Sequence, residues 1–135
     1  MPKDVPQIAQ YTQVKKELIM PSIFLKKGRE SSLLRFHSWI FSGAVAKTEG
    51  ISTEGDIVSV YSNDRELMGC GHYQAGSITV RILAFDNSPL EPGFWEKRIA
   101  EAFDARQKSG LITGNNTNAY RLVHGEGDML PGLVL

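Results

Sequence analysis

From Ser22 onward the chain alternates short apolar runs with polar turns. SIFLK, WIFSGAV, DIVSVY, ELMGCGHY and ITVRILAF are rich in Ile, Val, Phe and Tyr and are set apart by Gly, Asn, Asp and Ser, the pattern of short strands bounded by turns. Five such runs between Ser22 and Phe85 predict a compact sheet or small barrel. RESSLLR, between the first two runs, has room for only a turn or two of helix, with Leu33 and Leu34 toward the core and Arg29 and Arg35 outward. EGISTEGD and SNDRE supply turns, the second placing Asn63-Asp64 where a hairpin needs adaptable backbone.

The texture changes at DNSPLEPG, Asp86 to Gly93, which reads as a linker or domain edge. FWEKRIAEAFDARQKSG follows, with Phe94, Trp95, Ile99, Ala102, Phe103 and Arg106 at helical spacing and Gly110 as the stop, and predicts an amphipathic helix. Beyond GNNTN, the run AYRLVHGEGDMLPGLVL reads as strand, turn, strand. Residues 1–20 carry only a loose apolar spacing (Val5, Ile8, Tyr11, Val14, Leu18) and read as a mobile extension. The expected organisation is an extension over 1–20, a β-rich domain over 21–88, and a helix and hairpin over 89–135 that begin a second α+β domain. The apolar finish Leu133-Val134-Leu135 looks like the end of a fragment, and its open strand edge is expected either to fray or to pair with a second copy in a homodimer.

Composition sets the class. The 135 residues, 41% apolar and 22% charged, suit one globular unit or one plus part of another. The single Cys70 excludes an internal disulfide framework, and no apolar run approaches the ~20 residues of a membrane span, so the reading is a cytoplasmic protein with no membrane partner. Fifteen basic and fifteen acidic residues cancel, so attraction to nucleic acid must come from local clustering. Leu25 to Val45 holds such a cluster: Lys26, Lys27, Arg29 and Arg35 against the lone Glu30, interleaved with Phe36, His37, Trp39 and Phe41.

Other chemistry is poorly supported. GCGHYQAG and GEGDMLPG lack the strand-to-helix turn that a phosphate loop needs. His37, His72, His124 and Cys70 show no paired metal-ligand spacing, and Cys70 between two glycines reads as a buried thiol. Gly69 and Gly71, two apart in a strand, leave one face flat, so either a packed helix or strand or a nucleic-acid strand approaches there. In the basic segment the cations suit phosphates, while the rings suit either unpaired bases or the core, since Trp39 and Phe41 alternate with Ile40 as core residues would.

FLKKGRESSLLRFHSWIFSGAV, with GDIVSVYSNDRELMGCGHY and ITVRIL after it, resembles the N-terminal PUA domain of the ribosomal large-subunit methyltransferase I family, which methylates cytosine at carbon 5 in large-subunit rRNA. TNAYRLVHGEGDMLPGLVL is similar to that family's next segment, the entry hairpin of its central domain. The resemblance covers Ile23 to Leu135 and departs at Ser38, where the family has proline after the histidine. It implies a β-rich α+β fold, a PUA-like β pseudo-barrel followed by an amphipathic helix and a β-hairpin, that binds structured rRNA. By position it implies RNA contacts at Lys27, Arg29, Arg35, His37, Ser42 and Gly43, with Gly69 and Tyr73 second. The rings are then expected to anchor the basic segment to the barrel. S-adenosylmethionine and the catalytic cysteine belong to a Rossmann-like domain absent from these residues, so this chain alone is not expected to be an enzyme or to hold a cofactor. The rivals are a protein-interaction or scaffold module, in which the Gly69/Gly71 face receives another domain, and a PUA module of a different RNA-modifying enzyme.

Overall fold

The computed structural model describes residues 20–50, 53–113 and 116–135; apart from Met20, the expected N-terminal extension lies outside them. The apolar runs become β1 (Ser22–Leu25), β2 (Trp39–Phe41), β3 (Val45–Glu49), β4 (Ile57–Tyr61), β5 (Leu67–Tyr73) and β6 (Ile78–Ala84). WIFSGAV yields two strands because a 3-10 turn over Ser42–Ala44 bends the chain between β2 and β3. All six strands join one sheet in the order β2-β6-β5-β4-β1-β3, antiparallel except for the parallel pair β1–β4. Register slips at Phe24/Leu25, Ile40/Phe41, Val60/Tyr61 and Cys70/Gly71 each bend a strand and add twist, curling the sheet into a half-barrel.

The concave side holds the main core: Ile23, Leu25, Leu33, Ile40, Val58, Val60, Val80 and Ile82, none more than 2% exposed. Leu33 arrives from α1 (Ser31–Leu34), a single turn of helix that lids this core. Leu34 does not join it and is 68% exposed. Adjacent residues on a helix lie about 100° apart, so one turn can direct only one of the two leucines inward.

Gly69 and Gly71 are buried within β5. A Cβ on Gly71 would lie 2.2 Å from the carbonyl oxygen of Arg81, and one on Gly69 would lie 2.6 Å from that of Ala84. The space beside both glycines is thus taken by the backbone of β6 and the residue after it, in the same sheet. Cys70, between them, is buried with its Sγ 3.7 Å from Ser59 Oγ, and burial pushes the thiol pKa up.

The long helix α2 (Phe94–Lys108) occupies the predicted stretch. Phe94 packs on Leu83 and Ala84 of β6, and Arg98 lies over the Phe94 ring while donating to the Leu83 carbonyl at 3.2 Å. Gly110 with φ +79° follows the helix as the left-handed stop residue. The predicted C-terminal hairpin is shorter than the apolar run suggests. It consists of a bridge between His124 and Val134 with backbone bonds from Val123 and Gly125 to the last residues, closed around a 3-10 turn over Gly125–Asp128. Val123 and Leu130 bury against Ala102 of α2 in a separate small core. Arg106 clasps Asp128 bidentately beside it, with Nη2 to Oδ2 at 2.7 Å, and Asp128 also accepts the His124 amide hydrogen.

Candidate nucleic-acid interface

The chain leaves β1 into the turn Lys26–Arg29, where Gly28 takes φ +79°. Lys26 binds this turn to the 3-10 turn beyond β2: its amide donates to the Ala44 carbonyl at 2.9 Å and its Nζ to the Gly43 carbonyl at 3.0 Å. Two segments distant in sequence thus form one rim, with Lys26, Lys27, Arg29, Ser42 and Gly43 all exposed. Arg35, also exposed, follows α1 and returns its Nε to the Ser31 carbonyl at 3.2 Å. Among the described residues, none of the ion pairs involves Lys26, Lys27, Arg29 or Arg35. Glu30, the lone acid of the segment, turns its carboxylate to backbone amides, its own and that of Asn63 at 3.2 Å, and these hold its pKa below the usual carboxylate value. The positive charge of the rim is left to solvent.

Next to this rim the rings behave differently from the expectation that they serve the core. Ile40 is the inward residue of β2, and Trp39 and Phe41 project from the outer face, Phe41 with 48% of its surface exposed. Exposed His37 joins them: ring centroids lie 6.0 Å apart for His37–Trp39, and 6.4 Å for both Trp39–Phe41 and His37–Phe41. The first two pairs are edge-to-face, an arrangement favoured by the ring quadrupoles. His37 Nδ1 lies 3.2 Å from the Trp39 amide nitrogen and 3.3 Å from the Trp39 carbonyl oxygen, which ties the imidazole to the start of β2. Trp39 Nε1 donates to Glu126 Oε1 at 3.3 Å, bringing a carboxylate from the C-terminal 3-10 turn to the edge of the ring cluster. Along the outer face the register continues from Trp39 to Arg81 and His72, with Arg81 donating to Gln74 and His72 stacked on Trp95 of α2.

Of the residues singled out from the sequence, the fold joins Lys27, Arg29, Ser42 and Gly43 on the rim, and Arg35 and His37 lie on the same excursion between β1 and β2. Gly69 and Tyr73 stand apart: Gly69 is closed over by β6, and Tyr73 packs partly buried against the main core. Trp39 and Phe41 take the outward one of the two placements the sequence leaves open, and no local pattern announces Glu126 and Arg81 beside them. In the tripeptide WIF no polar residue marks the phase of the alternation. The available signal was the pairing of β2 with the Val80–Ile82 stretch, whose inward residues oblige Ile40 to face the core.

Residues 23–85, from β1 to the end of β6, match the family model of the PUA-like domain. The chain is 42% identical over 115 residues to the Ribosomal RNA large subunit methyltransferase I of Pseudoalteromonas atlantica, covering 84% of this chain and 29% of that protein. It is 37% identical over 119 residues to the protein of that name from Klebsiella pneumoniae, with coverage of 87% and 29%. It therefore spans about 29% of the length of these curated relatives. Among solved structures, a candidate SAM-dependent methyltransferase from Streptococcus mutans shares the fold with a TM-score of 0.68 at 17% identity, over 86% of this chain and 30% of that one. Matched by model from the first strand of the sheet to the last, the chain carries a PUA-like domain over residues 23–85, and through most of its length it is similar to part of the Ribosomal RNA large subunit methyltransferase I relatives.

Proposed function

We propose that this chain is the RNA-binding module of an S-adenosylmethionine-dependent rRNA methyltransferase that modifies cytosine at carbon 5, and that it binds rRNA through Lys27, Arg29, Arg35, His37, Ser42 and Gly43. The observation that carries this reading is the rim built by Lys26, where four cations with no acidic partner among the described residues border a cluster of outward rings, His37 and Phe41 exposed and Trp39 half-buried. Cations in that setting release counterions from a phosphate backbone, and rings offer bases a stacking face. The PUA-like family and the names of the relatives support the rRNA assignment. The separate small core of Ala102, Val123 and Leu130 supports a domain boundary near residue 88, with 89–135 starting a second domain. S-adenosylmethionine and the reacting groups belong to the remainder of the parent protein, which acts in the cytoplasm.

The test is the salt dependence of binding to a hairpin RNA with an unpaired loop. Four phosphate-neutralising cations give a log–log slope of about −3 for single strands, and R29A/R35A flattens it by roughly 1 to 2. An unchanged slope in the double variant would remove the rim from the reading.

A further inference from the structure

Taking the RNA-binding reading as given, we propose that the outer face of β2 is a stacking site for an unpaired nucleobase that carries an exocyclic amino group. Phe41 and Trp39 supply the stacking surface, and Glu126 accepts the amino hydrogen.

Trp39 and Phe41 flank a core residue yet stay outside the core, and with His37 they form a three-ring patch on a strand rather than scattered apolar residues. Such a patch at a sheet surface marks a place where something planar or apolar docks. The surrounding charge selects the occupant. Cations lie on one side, along the rim, and Arg81 sits opposite Trp39 in the ladder, so a polyanion is held beside the rings. Its bases must be unpaired, because a ring on the flank of a strand cannot enter a stacked duplex, whereas a splayed base presents a free π-face.

Glu126 refines the choice. A carboxylate only accepts hydrogen bonds, and Glu126 spends Oε1 on the Trp39 indole. Its position at the ring edge opposes phosphate and leaves acceptor capacity at the rim of any base stacked on the patch. Cytosine, adenine and guanine offer an amino group there, as in the pairing of Glu or Asp with the cytosine amino group in nucleic-acid readout. Uracil has no exocyclic amino group, and its carbonyl oxygens meet the carboxylate as like partners. The indole bond also fixes the Trp39 ring edge-on to Phe41, so the platform is ordered before a base arrives.

The experiment uses the full chain and three hairpins of one stem with loops of cytosine, adenine or uracil, read by fluorescence anisotropy at several salt concentrations. The expected result is binding of the cytosine and adenine loops about tenfold tighter than the uracil loop, the lower range for one hydrogen bond to a charged acceptor. F41A weakens binding of the amino-bearing loops by about tenfold with the salt slope unchanged. E126Q removes most of the preference over uracil, since an amide both donates and accepts. Phe41 is the test residue because it is exposed and outside the core, and thermal unfolding confirms that the variant folds. Equal affinities for the three loops in the unaltered chain, or an F41A variant that binds as before, would overturn the stacking site while leaving the rim intact. Absence of salt-dependent binding to every loop would sink both the site and the reading beneath it.

Discussion

Gly71→Ala is the most direct test of why β5 carries glycine where it does. The added methyl carbon would sit 2.2 Å from the Arg81 carbonyl oxygen, 2.7 Å from its carbon and 2.8 Å from Ile82 Cα, where ordinary contact begins at 3.4 Å. All three neighbours are backbone, so no flexible side chain can yield. Relief requires β5 and β6 to part by about 1 Å beyond the usual roughly 4.8 Å between strands. That stretches adjacent ladder hydrogen bonds past useful length, at about 1 kcal/mol net for each bond lost. Two or three weakened bonds together with strain place the cost at about 3 kcal/mol, the upper end for overpacking. In thermal unfolding followed by circular dichroism this lowers Tm by roughly 10 °C. Gly43→Ala is the control: nothing lies within 4 Å of its Cβ direction, and the expected change stays within about 0.5 kcal/mol. A G71A protein as stable as its parent would refute the account of the glycines as strand packing. If that stable protein had also lost RNA binding, the flat face would have to be reassigned to the ligand.

Two further expectations follow from burial and charge. Leu33→Ala should cost about 2 to 4 kcal/mol by opening a cavity in the main core, while Leu34→Ala, at a residue 68% exposed, should change stability by under about 0.5 kcal/mol; equal effects in denaturant titrations would contradict the orientation of α1. The Arg106 guanidinium beside Asp128, with help from the His124 amide, holds its carboxyl below the ordinary value of 3.8, so the contribution is fully present above about pH 4 and is lost as pH falls through the depressed folded value. D128N should therefore lower Tm at neutral pH, with the gap to the parent closing as pH falls below about 4; a constant gap would show that the clasp does not titrate as argued.

The sequence disclosed the strands readily because β-branched and aromatic runs were cleanly separated by Gly, Asn and Asp, and it disclosed α2 through the spacing of Phe94, Ile99 and Ala102. It could not disclose inward and outward assignments that depend on a partner. Ile40 faces the core because Val80 and Ile82 across the ladder do, and Leu33 is chosen over Leu34 by where a single helical turn sits over the sheet. The basic residues of the rim were legible as charge, but their assembly was not, because it rests on Lys26 reaching Gly43 seventeen positions away. Glu126 lies 87 residues from Trp39, and no local pattern connects them.

The strand order β2-β6-β5-β4-β1-β3 has a kinetic consequence. β1 and β2 are successive in the chain, yet three strands separate them in the sheet, so residues 26–38 form a strap across the concave side. The meander β4-β5-β6 is built from local hairpins and can assemble early. β1 must then close a long loop to reach its parallel partner β4, while β2 docks at the far edge on β6, contacts of high sequence separation that form slowly. The strap is thus the last part to be drawn tight, and its release frees β2 at one edge and the β1–β3 pair at the other. A ligand gripping Lys27, Arg29 and Arg35 holds it across the sheet at both attachment points, so occupancy of this face would slow the unfolding of the whole half-barrel.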